Sequence, residues 1–273
     1  MTTKQILLIN DLCSYGKVST TAMLPILSYF GIPVGILPTS LVSNTFDYGR
    51  YSMLETTGFL RDSFDKWKEL GFGFEAIATG FIPSRQQADM ISAYCKEQAA
   101  AGATVFVDPI MGDEGQLYKG MAADELVGVM REMISVADLC YPNYTEACYL
   151  TGRKYNPAGV TKEEAAAMLD ELHAIGSKSV LITSVDIDGQ TSVAGYNHTT
   201  DEHFYLPFTE IPVHFPGTGD IFSAILIGHI LNGEPLKSST RKAMDGVYTL
   251  IDLNKDNEDK NRGIPLEKYL NVL

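Results

Sequence analysis

The 273-residue chain is predicted to be an α/β protein built on an open, mostly parallel sheet with helices on both faces. Three observations carry that expectation. Short apolar runs bounded by turn residues recur along the chain, and segments of helical period stand between them. Several runs end in polar residues (Asn10-Asp11, Asp108-Pro109, Pro142-Asn143, Thr183-Ser184), and such sheets open their ligand crevice at strand ends. No internal repeat, low-complexity tract or long linker divides residues 1–273, so a single domain is expected.

Ile6–Ile9 is the first predicted strand. Its four apolar residues lead into Asn10-Asp11, so the segment after Met1–Gln5 is a buried strand and neither a signal peptide nor a membrane span. A helix follows near Thr20–Phe30, with Met23, Ile26, Leu27 and Phe30 on one face and Gly31 as its stop. Val34–Leu37 is a second strand and Phe59–Leu70 a helix closed by Gly71. Ala76–Thr79 is a strand, and Ser84-Arg85-Gln86-Gln87 has the form of a capping box opening a helix that Gly102 ends. The alternation goes on through strand Thr104–Val107, helix Ala122–Val136, strand Asp138–Tyr141 and a short helix Asn143–Leu150. A second box, Thr161-Lys162-Glu163-Glu164, opens a helix to Ile175-Gly176, and Val180–Thr183 is a strand. Tyr196–Leu206 is polar and turn-rich, with antiparallel strands expected around it. Two helices, Thr218–Leu231 and Leu236–Leu253, complete the series.

Composition narrows the function. Acidic residues outnumber basic ones 34 to 21, a formal charge of -13, and no Lys/Arg cluster interrupts that balance. Nucleic acid and anionic membrane are therefore excluded as partners. The four cysteines (13, 95, 140, 148) show no Cys-x-x-Cys pair and no zinc-like spacing with histidine. They read as reduced core thiols of a cytoplasmic protein.

Three stretches carry chemistry. Gly217-Thr218-Gly219-Asp220 opens an apolar helix, and a glycine turn at a helix start concentrates free N–H groups and the helix dipole on one point. Asp220 is either a helix cap or a base beside a phosphoryl group. Asp108-Pro109-Ile110-Met111-Gly112-Asp113 sets two carboxylates in one loop, a pattern that suits magnesium and its retained waters, or simply a solvated turn. Asn143-Tyr144-Thr145-Glu146 is Asn-x-x-Glu at a helix start, which serves equally as a capping box.

Together and in this order these stretches resemble the ribokinase-like superfamily, and within it the pyridoxal kinase branch. The likeness also rests on Ile9-Asn10-Asp11, Tyr15-Gly16-Lys17-Val18, Ser43-Asn44-Thr45, Gly115-Gln116-Leu117-Tyr118 and Ile182-Thr183-Ser184. It implies a three-layer αβα fold and ATP-dependent phosphorylation of the 5′-hydroxymethyl group of a B6 vitamer. On the family's pattern Asp220 is the general base, and Gly217, Thr218 and Gly219 form the anion hole. Asn143, Glu146 and Asp113 organise Mg-ATP; Thr183, Ser184 and Thr218 contact its phosphates; Tyr118 covers them on a short flap. Val213 and Phe215 line the adenine pocket, with His214 as a wall. Asp108 supports the cation site, where the family also holds a monovalent cation such as K⁺. Asn10, Asp11, Ser43, Asn44 and Phe46 face the substrate, and the family habit is a homodimer.

The chain departs from the branch at two places. Asp11 stands where serine is common, and Thr45-Phe46 where His-Thr is common. A carboxylate at position 11 can pair with the 4′-ammonium of pyridoxamine, so a tilt toward that vitamer is expected. Cys13 is expected to be an inert thiol. Hydroxymethylpyrimidine kinase on the same fold is the nearest alternative, although Ile9–Ser19 lacks that branch's Gly-Ser-Asp opening. A non-catalytic nucleotide or vitamer binder is the other, but it has no use for a base at Asp220.

Overall fold

The apolar runs at the front of the chain extend further than their hydrophobic residues alone suggest. In the computed structural model, which describes residues 5–118 and 122–273, β1 spans Ile6–Cys13 and carries Asn10 and Asp11 inside the strand. Ile6, Leu7, Leu8 and Ile9 are fully buried, and Leu12 and Cys13 keep the strand paired beyond the polar pair. Met1–Lys4, the lead-in read from sequence as free of a signal peptide, lies outside the described residues. Helix α1 (Ser19–Tyr29) follows, ended by Gly31 at φ +75°, then β2 (Val34–Val42), β3 (Met53–Glu55) and α2 (Thr57–Leu70). The strand β3 was not legible, because its three residues are all exposed and show no alternation.

The middle of the chain holds β4 (Ala76–Thr79), α3 (Arg85–Ala100), β5 (Thr104–Val107) and a two-stranded hairpin, β6 (Gly112–Asp113) with β7 (Gln116–Leu117). It continues through α4 (Ala123–Ile134), β8 (Leu139–Cys140), α5 (Tyr144–Thr151) and α6 (Lys162–Ile175) to β9 (Ser179–Ile187), β10 (Gln190–Asn197) and β11 (Glu202–Pro207). Helices α7 (Thr218–Leu231) and α8 (Leu236–Asn254) complete the regular elements. The capping box expected at Ser84–Gln87 does not form. Ser84 Oγ is buried without a hydrogen bond, and Gln87 is fully buried, so its side chain is drawn inward instead of back to the helix start. The box at Thr161 does form, with Glu164 N–H donating to Thr161 Oγ1 at 3.2 Å and Thr161 N–H to Glu164 Oε2 at 2.8 Å.

The fold is three-layer α/β with a mostly parallel sheet, and its residues group into two compact units, Met1–Ala76 with Glu210–Leu273, and Ile77–Thr209. In the first unit β1 and β2 run parallel and β3 is antiparallel to β2. Asn10 pairs with Pro38 and Leu12 with Leu41, so Asp11 faces two β2 residues, Thr39 and Ser40, across a bulge. In the second unit the strand order is β4-β5-β8-β9-β10-β11. β5, β8 and β9 are parallel, whereas β9, β10 and β11 form an antiparallel meander. Thr183 and Ser184 together oppose the single residue Val193, and Ser184 takes the left-handed value φ +54° that this bulge requires.

Helix α7 is apolar almost all round because α1 and α8 both pack on it. Gly228 permits the α1 contact, since a Cβ there would come within 2.6 Å of the Phe30 ring. Gly228→Val is expected to destabilise the protein by about 1–3 kcal/mol through overpacking. A lowered urea midpoint with an unchanged m-value checks this; an unchanged midpoint would show that α1 and α7 do not need the close approach.

Candidate active site

In the first unit, the turn before α7 is shaped by backbone. Gly217 has φ +84°, and a Cβ on it would strike the carbonyl oxygen of Lys17, so the turn lies directly on the Lys17-Val18 peptide. Ile221 N–H returns to Gly217 O at 2.9 Å, which leaves the amides ahead of it as the open donors of the helix start. A Cβ on Gly219 would meet nothing within 4 Å, so there is room beside those donors. The turn can therefore receive an anion.

Asp220 occupies the third helical position, where an acid often caps its own helix. Its Oδ2 accepts the backbone N–H of Ser19 at 2.7 Å, from the first residue of α1. Ser19 is held at φ +50°, a conformation a non-glycine residue adopts only when its surroundings enforce it. The Asn10 side chain also hydrogen-bonds the Asp220 carboxylate, and the Ser19 side chain bonds that of Asp11. One serine thus binds two acids, by its amide and by its hydroxyl.

Burial dominates the ionisation of both. It raises Asp220 to about 7, with the Asp11 charge pushing the same way and the bonds from Ser19 and Asn10 pulling back. Asp11, 5 % exposed, is raised to about 6 by burial, opposed by Ser19 and by backbone N–H. The Cys13 thiol is buried and pushed up to about 11 by desolvation and by the charges of Asp11 and Asp220, so it is protonated and inert.

Other expected residues of this unit lie in separate settings. Ser43 and Asn44 line an open cleft of about 350 Å³ with Tyr15, Tyr48 and Arg50. Asn44 spends its amide on the carbonyls of Thr45 and Arg50, and Phe46 leans on Tyr51 at 4.4 Å between ring centres. Val213 is half-buried and His214 exposed, with its Nε2 3.4 Å from Asp47. Phe215 is 1 % exposed, so its ring fills the interior and presents no face to a ligand. A strap from the carboxyl-terminal part closes over these loops: Thr45 Oγ1 donates to Asn261 O at 2.6 Å, Tyr48 to Asp259 at 2.6 Å, and Lys17 N–H to Arg262 O at 2.8 Å.

In the second unit, the Asn-x-x-Glu pair serves as cap and as clamp. Asn143 Oδ1 accepts Glu146 N–H at 2.9 Å, and Glu146 Oε2 accepts Asn143 N–H at 2.8 Å. The remaining polar atoms reach outward. Glu146 Oε1 accepts Met111 N–H at 2.9 Å, and Asn143 Nδ2 donates to Gly112 O at 2.8 Å. Thr145 Oγ1 accepts Gly115 N–H at 2.9 Å. These bonds fasten the β6-β7 hairpin, whose two-residue turn has positive φ at Glu114 and Gly115, onto the start of α5. Thr183 is joined to the same corner by a bridge to Asn143, its N–H on Pro142 O at 2.9 Å.

Glu146 is buried and raised to about 8, chiefly by desolvation and also by the Asp113 charge; the amides of Met111, Asn143 and Gly112 offset part of this. No side-chain cation figures among the groups that set its ionisation. Asp113 is exposed on the hairpin, Asp108 half-buried after β5, and Tyr118 exposed just past β7 with its N–H on Met111 O at 2.8 Å. Among the described residues no three His, Cys, Asp or Glu side chains converge as a metal cage. Hard oxygen donors without a protein cation fit Mg²⁺, which takes few carboxylates and keeps its waters.

The residue that sequence reasoning missed is Ser19. A serine at a helix start reads as a cap, and nothing local reveals a partner 201 residues away.

The chain matches the phosphomethylpyrimidine kinase family model over residues 50–264. The pyridoxal kinase of Arabidopsis thaliana is 35% identical over 159 residues, covering 56% of this chain and 49% of that protein. The chain thus spans about half the length of curated relatives such as this one. A Bacteroides thetaiotaomicron protein described as a phosphomethylpyrimidine kinase, solved with pyridoxal, has a TM-score of 0.93 at 34% identity, over 99% of this chain and 96% of that one. The pyridoxal kinase from Lactobacillus plantarum gives 0.88 at 29% identity, over 98% and 96%. Ordered motifs, fold and matched length agree: the chain belongs to the phosphomethylpyrimidine kinase family, within the ribokinase-like superfamily and on the side of its pyridoxal kinases.

Proposed function

We propose that the chain is an ATP-dependent kinase that phosphorylates the 5′-hydroxymethyl group of a B6 vitamer: pyridoxal, pyridoxamine or pyridoxine. One observation carries this reading. Asp220 sits in the first turn of α7 beside free helix donors, accepts the Ser19 amide of α1, and has a pKa near 7 that suits a general base. The substrate hydroxyl gives its proton to the Asp220 carboxylate as its oxygen attacks the γ-phosphorus and the bond to ADP breaks. Gly217, Thr218 and Gly219 offer backbone N–H groups to the charge on the transferring phosphoryl group.

Asn143, Thr183, Ser184 and Tyr118 meet the phosphates, while Asp113, Glu146 and Asp108 hold cations directly or through water. Bound Mg²⁺ neutralises the phosphates and keeps them in line for transfer. A monovalent cation near Asp108, a homodimer and a cytoplasmic setting complete the proposal. Three exposed residues on β3 and four buried unpaired thiols are consistent with it, and no described helix is long and apolar enough to cross a membrane.

A phosphomethylpyrimidine or hydroxymethylpyrimidine kinase is the second reading, favoured by the family's own description. Both substrates are heteroaromatic hydroxymethyl compounds, so the reaction class is unchanged. ADP release with pyridoxal, pyridoxamine, pyridoxine and hydroxymethylpyrimidine decides between them; turnover of the pyrimidine alone would transfer the assignment.

Asp220→Asn is expected to lower kcat by roughly 10²–10⁴, the scale for a lost general base. In the wild type, kcat/KM should fall about tenfold per pH unit below about 7, where Asp220 takes up its proton. The same raised pKa means the folded state holds that proton more tightly than the unfolded chain, so stability is lost as pH rises from the ordinary carboxyl range through 7. Asp220→Asn should therefore melt higher than wild type at pH 8, and the gap should close toward pH 5. Glu146→Gln keeps an acceptor for only one of the Met111 and Asn143 amides and loses the charge, and should weaken Mg²⁺ activation by about 10–100-fold. Magnesium titration of initial rates measures this, and an unchanged activation constant would free Glu146 of any cation role.

A further inference from the structure

Two glycines from distant parts of the first unit close on the same carbonyl oxygen. Gly217 lies on Lys17 O from the turn before α7, and Gly263 reaches that oxygen from the carboxyl-terminal strap. Gly263 has φ +80°, and a Cβ on it would come within 2.8 Å of Lys17 O and 3.2 Å of Pro216 O. The same strap holds the Lys17 amide, whose N–H donates to Arg262 O at 2.8 Å. The strap is itself anchored. Ile264 and Leu266 are fully buried, Thr45 Oγ1 donates to Asn261 O at 2.6 Å, and the Tyr48 hydroxyl donates to Asp259 Oδ2 at 2.6 Å. A Cβ on Gly16 would strike Thr45, so the loop before α1 packs on that anchor too. Asn261 and Arg262 take part through their carbonyl oxygens, so their side chains give no sign of it.

Lys17 lies two residues before Ser19, whose N–H binds Asp220, and Pro216 directly precedes Gly217, which opens the anion turn. One residue therefore meets the lead-ins to both the base and the turn. We propose that Gly263 is a positioning residue for phosphoryl transfer: lacking a Cβ, it lets the strap draw the Lys17 and Pro216 carbonyls together and so fixes Asp220 relative to the amides of the Gly217 turn. This rests on the kinase reading above and adds to it an element outside the motifs of the sequence. Position matters because phosphoryl transfer needs little covalent help, and a displacement of about 1 Å can cost roughly a hundredfold in rate. The Ser19 amide also lowers the proton affinity of Asp220, against burial and the charge of Asp11 on β1. The Cys13 thiol is the other titratable group of β1 that feels Asp220. The nearby loop cations are engaged elsewhere, Lys17 with Glu267 and Arg262 over the Tyr15 ring. A weakened Ser19 bond leaves only the Asn10 side chain to oppose burial, so Asp220 then ionises at higher pH.

The experiment compares wild type with Gly263→Ala and with a control, Gly189→Ala, at φ +82° where a Cβ meets nothing within 4 Å. Both variants carry left-handed strain, but only the first crowds Lys17 and Pro216. Initial rates with pyridoxal, pyridoxamine, pyridoxine and hydroxymethylpyrimidine are taken across the pH profile, and melting curves give the folded fraction. In Gly263→Ala, kcat should fall about 10–100-fold with substrate KM within about threefold of wild type. The acid limb of kcat/KM should move to higher pH. Gly189→Ala should keep the wild-type kcat and limb. If Gly263 serves stability alone, kcat per folded enzyme and the acid limb stay at their wild-type values, and that result overturns the proposal. Should Gly263→Ala not fold, Asp259→Ala removes the Tyr48 anchor at the other end of the strap without crowding it. It should lower kcat about two- to tenfold, and Asp259→Asn, which keeps an acceptor for Tyr48, should restore the rate. Wild-type kcat in Asp259→Ala overturns the proposal. Absence of turnover by the wild type with any of the four substrates overturns the kinase reading and this role with it; normal wild-type turnover with unaffected variants overturns the role alone.

Discussion

The corner of the first unit where β1, α1 and α7 meet depends on one serine that holds two acids. Ser19 gives its amide to Asp220 and its side chain to Asp11, and it does so from a left-handed backbone conformation. Two desolvated carboxylates repel, so the local structure is stable only because the surrounding elements are fixed. Helix α1 lies on β1 and α7 lies on α1, and Gly217 lets the α7 turn sit on the Lys17 carbonyl. The proton affinity of Asp220 is therefore a property of helix packing as much as of the residue itself.

The second unit solves a different problem with the same economy of atoms. Asn143 and Glu146 cap α5 reciprocally, which would be a sufficient reason for both residues. Yet Oε1 of Glu146 and Nδ2 of Asn143 go to the Met111 amide and the Gly112 carbonyl, so the cap also sets the loop that carries Asp113. The two residues that complete the helix start with one set of polar atoms fix the neighbouring loop with the other.

The fold class was legible because buried strands leave short apolar runs such as Ile6–Ile9 and Val105–Val107, and helices leave glycine stops at 31, 71 and 152. Polar strand segments were not legible as strand. Asn10, Asp11 and Ser184 were expected past the strand ends and Thr183 as a last strand residue, yet all lie within β1 and β9, because pairing to β2 and β10 continues through bulges that a hydrophobic pattern cannot register. At the site, residue types were readable and geometry was not. Asp220 was read as cap or base, and its bond to Ser19, 201 residues away, had no signal in the local sequence. Phe215 was expected at a ligand wall, yet an aromatic beside a glycine turn gives no sign of pointing inward. The box at Ser84 fails for the same kind of reason: burial of Gln87 outweighs a cap bond that local sequence would favour.

The first unit is discontinuous, made of residues 1–76 and 210–273. Asp11 and Ser19 are therefore translated about two hundred residues before Asp220, and the strap at Asp259–Arg262 comes later still. On the ribosome the early strand and helix must wait, with Asp11 still hydrated and near its ordinary acidity, while the intervening unit is made. Closing so long a loop is slow and entropically unfavourable. The acid pair is thus assembled last, once the final helices have docked.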